Sequence, residues 1–155
     1  MTLRLRLATL CMLVLGACAA VTGVSNDPVL ISSQNLDKLI GRQWQLKTIT
    51  VDGSPVIMHV DATQLIRFGS DGKVTGFGGV NRYSGAYQFS PEGALSWPGP
   101  GLISTRMAGP PELMDKERAF LNGLPKTSRA VVVGHALQLQ SEDGSNVLVF
   151  SEQGY

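Results

Sequence analysis

Short alternations of apolar and polar residues, each soon stopped by a turn, recur from Trp44 to Ser151 and limit what this chain can fold into. Trp44 to Val51 alternates with period two and halts at Asp52-Gly53, a turn pair. Gln64 to Phe68 and Lys73 to Phe77 flank Gly69-Ser70-Asp71-Gly72, which reads as a hairpin. Tyr83 to Phe89, Ala94 to Trp97, Ala130 to Val133, Ala136 to Gln140 and Asn146 to Ser151 complete the series. About eight strands at spacings of roughly 8–12 residues predict an antiparallel sandwich or small barrel. Eighteen glycines, eight prolines and only 16% charged residues agree with many turns and few exposed helices.

One segment departs from the β pattern. Pro110-Pro111 followed by Glu112 to Gly123 predicts a single helix over about 111–123. Proline suits its first turn, Glu112 favours its N-terminus, and Asn122-Gly123 suits an exit. Leu113, Phe120 and Leu124, with Met114 and Leu121 beside them, form an apolar stripe expected to pack on the sheet; a partner-binding helix is the other reading. Leu36 to Ile40 could add one helical turn.

The N-terminus reads as an address. Arg4 and Arg6 precede the uncharged stretch Leu7 to Leu15, and small residues follow, the arrangement of a secretory signal. The run is far short of the roughly 20 residues that span a bilayer. Leu15-Gly16-Ala17-Cys18 resembles a bacterial lipobox. That resemblance implies cleavage between Ala17 and Cys18, a diacylglycerol on the Cys18 thiol and a membrane held through that lipid. Ala19 in place of an aspartate is similar to the pattern of lipoproteins sent to the outer membrane. The expected organisation is therefore signal peptide 1–17, a polar tether over 18–36 and a domain over 37–153. Two or three acyl chains anchor stably, at about 0.8 kcal/mol per buried methylene. An ordinary signal with a chance cysteine is the alternative.

The chain carries 13 basic and 12 acidic residues. Removing residues 1–17 takes Arg4 and Arg6 and leaves 11 against 12, a net charge of −1. A nucleic-acid partner, which needs a basic excess on one face, is not expected. His59 and His135 are the only imidazoles, and each reads as a turn or surface residue. No HExxH, GxSxG, Cys/His cluster or phosphate-cradling loop occurs, so no catalytic residue, metal site or cofactor is expected. Asp115 and Glu117 share the helix but lie two apart, pointing to different faces. Tyr83, Tyr87, Trp44 and Trp97 could line a pocket, although aromatics in a small barrel usually fill it. Phe68, Phe77, Tyr87 and Leu95 join the helix stripe as expected filling.

The run Gly76-Phe77-Gly78-Gly79-Val80-Asn81-Arg82-Tyr83-Ser84-Gly85-Ala86-Tyr87 stands out. With it go Trp44-Gln45-Leu46, Thr105-Arg106-Met107-Ala108-Gly109 and Glu117-Arg118-Ala119-Phe120-Leu121. Together these blocks, from about Asp37 to Phe150, resemble the META domain, or HslJ-like, family. The resemblance implies a calycin-like β-barrel with a helix, in proteins largely exported or membrane-anchored, some linked to heat shock and drug tolerance, and with no established catalysis. It singles out Trp44, Gly79, Asn81, Tyr83, Gly85, Tyr87, Thr105, Met107, Glu117 and Phe120 as structural or binding positions. Asn81 suits a turn with positive φ or an Asx hydrogen bond, and Gly85 a close backbone approach. Two positions depart from the family pattern: Val80 and Gly109 stand where cysteines are usual. If those cysteines are partners, the bridge closes a loop of about 30 residues, worth roughly 3–4 kcal/mol. The expected function is a non-catalytic envelope lipoprotein, a binding or stress-protection module; a carrier with a small apolar ligand or peptide inside the barrel is the alternative.

Overall fold

The computed structural model describes residues 26–56 and 63–154. Cys18, Ala17 and His59 lie outside these residues. Among the described residues the chain forms twelve short strands and one α-helix. The strands are β1 (Val29–Leu30), β2 (Trp44–Val51), β3 (Ser54–Val56), β4 (Leu65–Phe68), β5 (Lys73–Phe77) and β6 (Arg82–Ala86). Then come β7 (Gln88–Phe89), β8 (Leu95–Ser96), β9 (Ile103–Ser104), the helix α1 (Pro111–Gly123), β10 (Arg129–Val133), β11 (Ala136–Gln140) and β12 (Val147–Glu152).

All pairings are antiparallel, in the order β1-β10-β11-β12-β2-β4-β5-β6-β9, with β3 beside β2 and β7 paired to β8. Among the described residues the hydrogen-bonded ladder ends at β1 and at β9. The β7–β8 hairpin lies across the gap: Tyr87 N–H donates to the Gly72 carbonyl, Leu95 N–H to Ser128 and Ser33 N–H to Ser90. Long strand β2 is the hinge of the sheet, pairing along its length with β12 and at its first residues with β4.

Inward positions follow the pleat. Trp44, Leu46, Ile66, Phe68, Val74, Leu137, Leu139, Leu148 and Phe150 are buried, as period-two alternation requires. Phe77 corrects the expected core. On β5, Val74 faces in and Gly76 shares its parity, so Phe77 falls on the outer face and is only half-buried. The expected tether also needs correction. Val29 and Leu30 pair with Val132 and Val131 on β10, and Ile31 is fully buried, so the folded domain begins before residue 36. Ile31 and the half-buried Val29 gain more by packing on the domain than by solvation, while Leu30 stays exposed.

Helix α1 runs over the expected residues, with Pro111 in its first turn. Its exit differs. Gly123 is helical (φ −77°), and a 3-10 turn, Leu124–Lys126, continues the path. Gly123 serves packing instead: a Cβ there would already touch Ile49 and Val51 at 3.4 Å. The buried face is Lys116, Glu117, Phe120, Gly123 and, one step on, Leu124; Leu113, Met114 and Leu121 are half-buried at its margin.

Candidate functional site

Two features gather the singled-out residues: a buried polar knot at one end of the sheet and an open groove on its outer face.

The knot centres on Asn81 and Glu117, both buried. One Glu117 oxygen, Oε2, accepts from the backbone N–H of Val80 (2.9 Å) and of Asn81 (2.6 Å). The other, Oε1, accepts from Asn81 Nδ2 at 2.7 Å. The Asn81 carbonyl oxygen then accepts from Thr105 Oγ1 (2.7 Å) and Met107 N–H (2.8 Å), while Nδ2 also donates to the Met107 carbonyl (3.2 Å). One helix carboxylate and one amide thereby fasten the β5–β6 turn to the segment after β9 and to α1. Every polar atom of the pair is engaged, the condition under which a buried network rigidifies a fold. Asn81 has no positive φ, contrary to the turn role expected for it; Asp52 is the non-glycine residue in that region among the described residues. Its bonds are tertiary rather than local.

The flanking glycines make room for this knot. A Cβ on Gly78 would press on Glu117 Oε2 at 2.7 Å, and Gly79 combines a φ of +120° with the buried Gln64 amide 3.3 Å from where its Cβ would sit. Both polar atoms of that Gln64 amide lack a hydrogen-bond partner among the described residues.

The two motif tyrosines span strands. Tyr83 Oη donates to the Leu65 carbonyl (2.9 Å) and Tyr87 Oη to that of Gly69 (2.7 Å). Tyr83 crosses β5 directly over Gly76, where any Cβ would collide with the Leu65 carbonyl oxygen and the Tyr83 hydroxyl. Burial pushes the Tyr83 phenol well above its usual range, and burial with the nearby Asp71 charge raises Tyr87, so both stay protonated donors. Gly85 lies under Leu102, whose Cδ2 would be 2.7 Å from an added Cβ. Trp44 is fully buried and donates from Nε1 to the Leu39 carbonyl at 3.3 Å. Phe120 packs edge-on to Tyr83 and Phe150, with centroids 5.7 and 6.3 Å away.

Val80 and Gly109 face each other. An ideal Cβ on Gly109 lies 3.4 Å from Val80 Cβ and 2.8 Å from its two methyl groups. Cβ atoms of disulfides are about 3.5–4.5 Å apart, so the pair sits at the short edge of bridging geometry, and Val80 fills the volume that glycine leaves. Val80→Cys with Gly109→Cys is expected to oxidise to a bridge and to raise the midpoint of thermal unfolding relative to the reduced form. Titrated free thiols after oxidation, or an unchanged midpoint on reduction, would rule the pairing out.

The groove, about 600 Å³, lies outside β4, β5, β6 and β9. Two cross-strand rows floor it: Leu65, Phe77 and Arg82 in one, Arg67, Thr75, Ser84 and Ile103 in the other. Sequence reading did not select Arg67, Arg82 or Ile103 as a site. Their shared parity on neighbouring strands was the available signal, but it identifies a surface only once the strand order is known. His135 instead lies against Glu152, its Nδ1 3.1 Å from the carboxylate that Arg42 also contacts. Among the described residues no three His, Cys, Asp or Glu side chains gather as metal ligands, and no helix is long and apolar enough to cross a membrane.

The profile of the META domain matches residues 37–154. The chain belongs to the META domain family. Its blocks meet in space: Asn81, Thr105, Met107 and Glu117 build the knot, while Tyr83 and Phe120 pack beside it. Among solved structures, an NMR structure of a protein from Burkholderia xenovorans is similar at 29% identity and a TM-score of 0.61, covering 77% of this chain and 86% of that one. A crystal structure of a DUF4847 family protein from Bacteroides vulgatus is 13% identical with a TM-score of 0.53, over 75% of this chain and 95% of its own, a likeness of fold alone. A search among curated proteins finds none that matches.

Proposed function

We propose that this META domain is a non-catalytic binding module of the cell envelope, exported by its first 17 residues and held through a lipidated Cys18 on the periplasmic face of the outer membrane. The observation that carries the binding role is where the space lies. The interior is packed with Trp44, Phe68, Phe120 and Phe150, each almost wholly buried, whereas the groove of about 600 Å³ opens on the outer sheet face. That volume is within the range of ordinary ligand sites, roughly 300–1,000 Å³. A carrier enclosing its ligand would need those aromatics to move, so the outer surface is the better candidate. The knot's groups are saturated by one another, which suits a structural clasp better than a reactive centre.

The anchor has a direct test. Cys18→Ser is expected to leave the membrane fraction after a carbonate wash, and radiolabelled palmitate is expected to mark the wild type alone. Equal membrane retention of the mutant would defeat the lipid anchor.

A further inference from the structure

The outer-face groove has a chemistry of its own. Among its described lining residues are two arginines, Arg67 and Arg82, and no aspartate or glutamate. Both arginines are exposed, and among the described residues neither forms an ion pair, although Arg42, Arg118, Lys73 and Lys126 elsewhere on the domain each have one. The register sets them diagonally. Arg82 ends a row whose other members are Leu65 and Phe77, and Arg67 begins a row that ends at Ile103. Each row therefore offers one cation and apolar surface within a few side-chain widths. Ile103 is 63% exposed and extends the apolar lining of the groove.

The groove also ends on an open strand edge. Among the described residues β9 pairs with β6 on one side and with no strand on the other. Pro98 and Pro100 precede β9 and Pro110 follows it, so the chain bordering this edge is poorly suited to supply a strand of its own. The groove is thus unobstructed by a strand at its β9 end, so an extended chain laid across the strands can run on past Ile103.

We propose that the outer face of β4, β5, β6 and β9 docks an extended acidic segment of a partner protein. Its carboxylates meet Arg67 and Arg82, and its alternate apolar side chains cover Leu65, Phe77 and Ile103. Paired guanidinium–carboxylate contacts supply orientation, since arginine's planar fork matches a carboxylate in two bonds at once. Arg67 on β4 and Arg82 on β6 stand two strands apart, about 10 Å at the usual strand spacing, so a single-headed amphiphile meets one of them at a time whereas an extended acidic segment laid across the strands meets both. The proposal names the occupant of the binding face argued above and does not depend on the lipid anchor.

The test uses detergent-solubilised full-length protein, panned against a random peptide library displayed on phage. Enriched sequences are expected to carry Asp or Glu alternating with apolar residues. Synthetic copies labelled with fluorescein should bind the wild type with an affinity that weakens at least tenfold between low and high salt. Arg67→Glu with Arg82→Glu should lower that affinity at least tenfold while leaving the unfolding midpoint near wild type, because both side chains are exposed. Ile103→Asp should weaken binding without touching either arginine. Enrichment of neutral or basic sequences, no enrichment at all, or equal binding by the double variant would overturn the proposal. So would laurate that displaces the labelled peptides at comparable concentration, since the groove would then be a site for small amphiphiles. Failure of Cys18→Ser to release the protein would leave these results unaffected, so anchor and docking face fail separately.

Discussion

Replacing Phe120 with alanine is expected to cost about 3–5 kcal/mol of unfolding free energy, the usual loss on emptying a fully buried aromatic site. Phe120 has no solvent exposure, and its ring stands between those of Tyr83 and Phe150, both edge-on. Such pairs add about 0.5–1.5 kcal/mol beyond the area they bury. Relaxation offers little relief, because Gly123 already lets α1 approach Ile49 and Val51 closely and Tyr83 is tied to β4 through Leu65. For a domain whose total stability is of the order of 5–15 kcal/mol, the loss is a large share. Denaturant titration measures it. Phe120→Leu, which keeps most of the volume, should lose far less than alanine. A loss below about 1 kcal/mol for Phe120→Ala would mean that the stripe does not face the sheet in solution, and the partner-binding reading of α1 would return.

The legible parts of this fold were those written in periodicity. The bounds of β2, β5, β11 and α1 can be read from the chain because alternation and helical spacing run unbroken up to a turn or a proline. Elements decided by a neighbour were not legible. β1 and β9 have two residues each, and Pro55 in β3 cannot donate to a ladder, so none has a local signature strong enough to stand out. Phe77 reads as core by composition and is placed outward by its opposite parity to Val74. Glu117 shows the same limit at the knot. Beside Asp115 it reads as another helix-surface acid, and only the docking of α1 onto the β5–β6 turn brings it to the backbone of Val80 and Asn81. The motif named Asn81, Thr105, Met107 and Glu117 separately; that they bond to each other is a fact of the fold.

The knot yields the second large effect, and it separates charge from shape. Glu117→Gln keeps the size of the side chain but cannot reproduce its pattern of acceptors. One oxygen can still receive the two backbone N–H groups, yet the new amide NH₂ must then face Asn81 Nδ2, donor against donor. Flipping the Asn81 amide would relieve that clash. It would also turn an NH₂ toward Thr105 Oγ1 and Met107 N–H, both of which donate to Asn81 Oδ1. No arrangement satisfies all partners. Hydrogen bonds to a charged group are worth about 1.5–3 kcal/mol, and a buried group left unpaired costs about 1–3 kcal/mol, so Glu117→Gln should lose roughly 2–4 kcal/mol. Asn81→Ala should lose a similar amount by stranding Glu117 Oε1 and the Met107 N–H. Because both substitutions dismantle one network, their effects should not add: the double variant is expected to fall short of the sum by about 1–3 kcal/mol. A cycle of denaturant titrations reads this coupling directly. Coupling near zero, or a Glu117→Gln protein as stable as wild type, would show that the carboxylate is solvated rather than clasped, and that the fold is held at this end by packing alone.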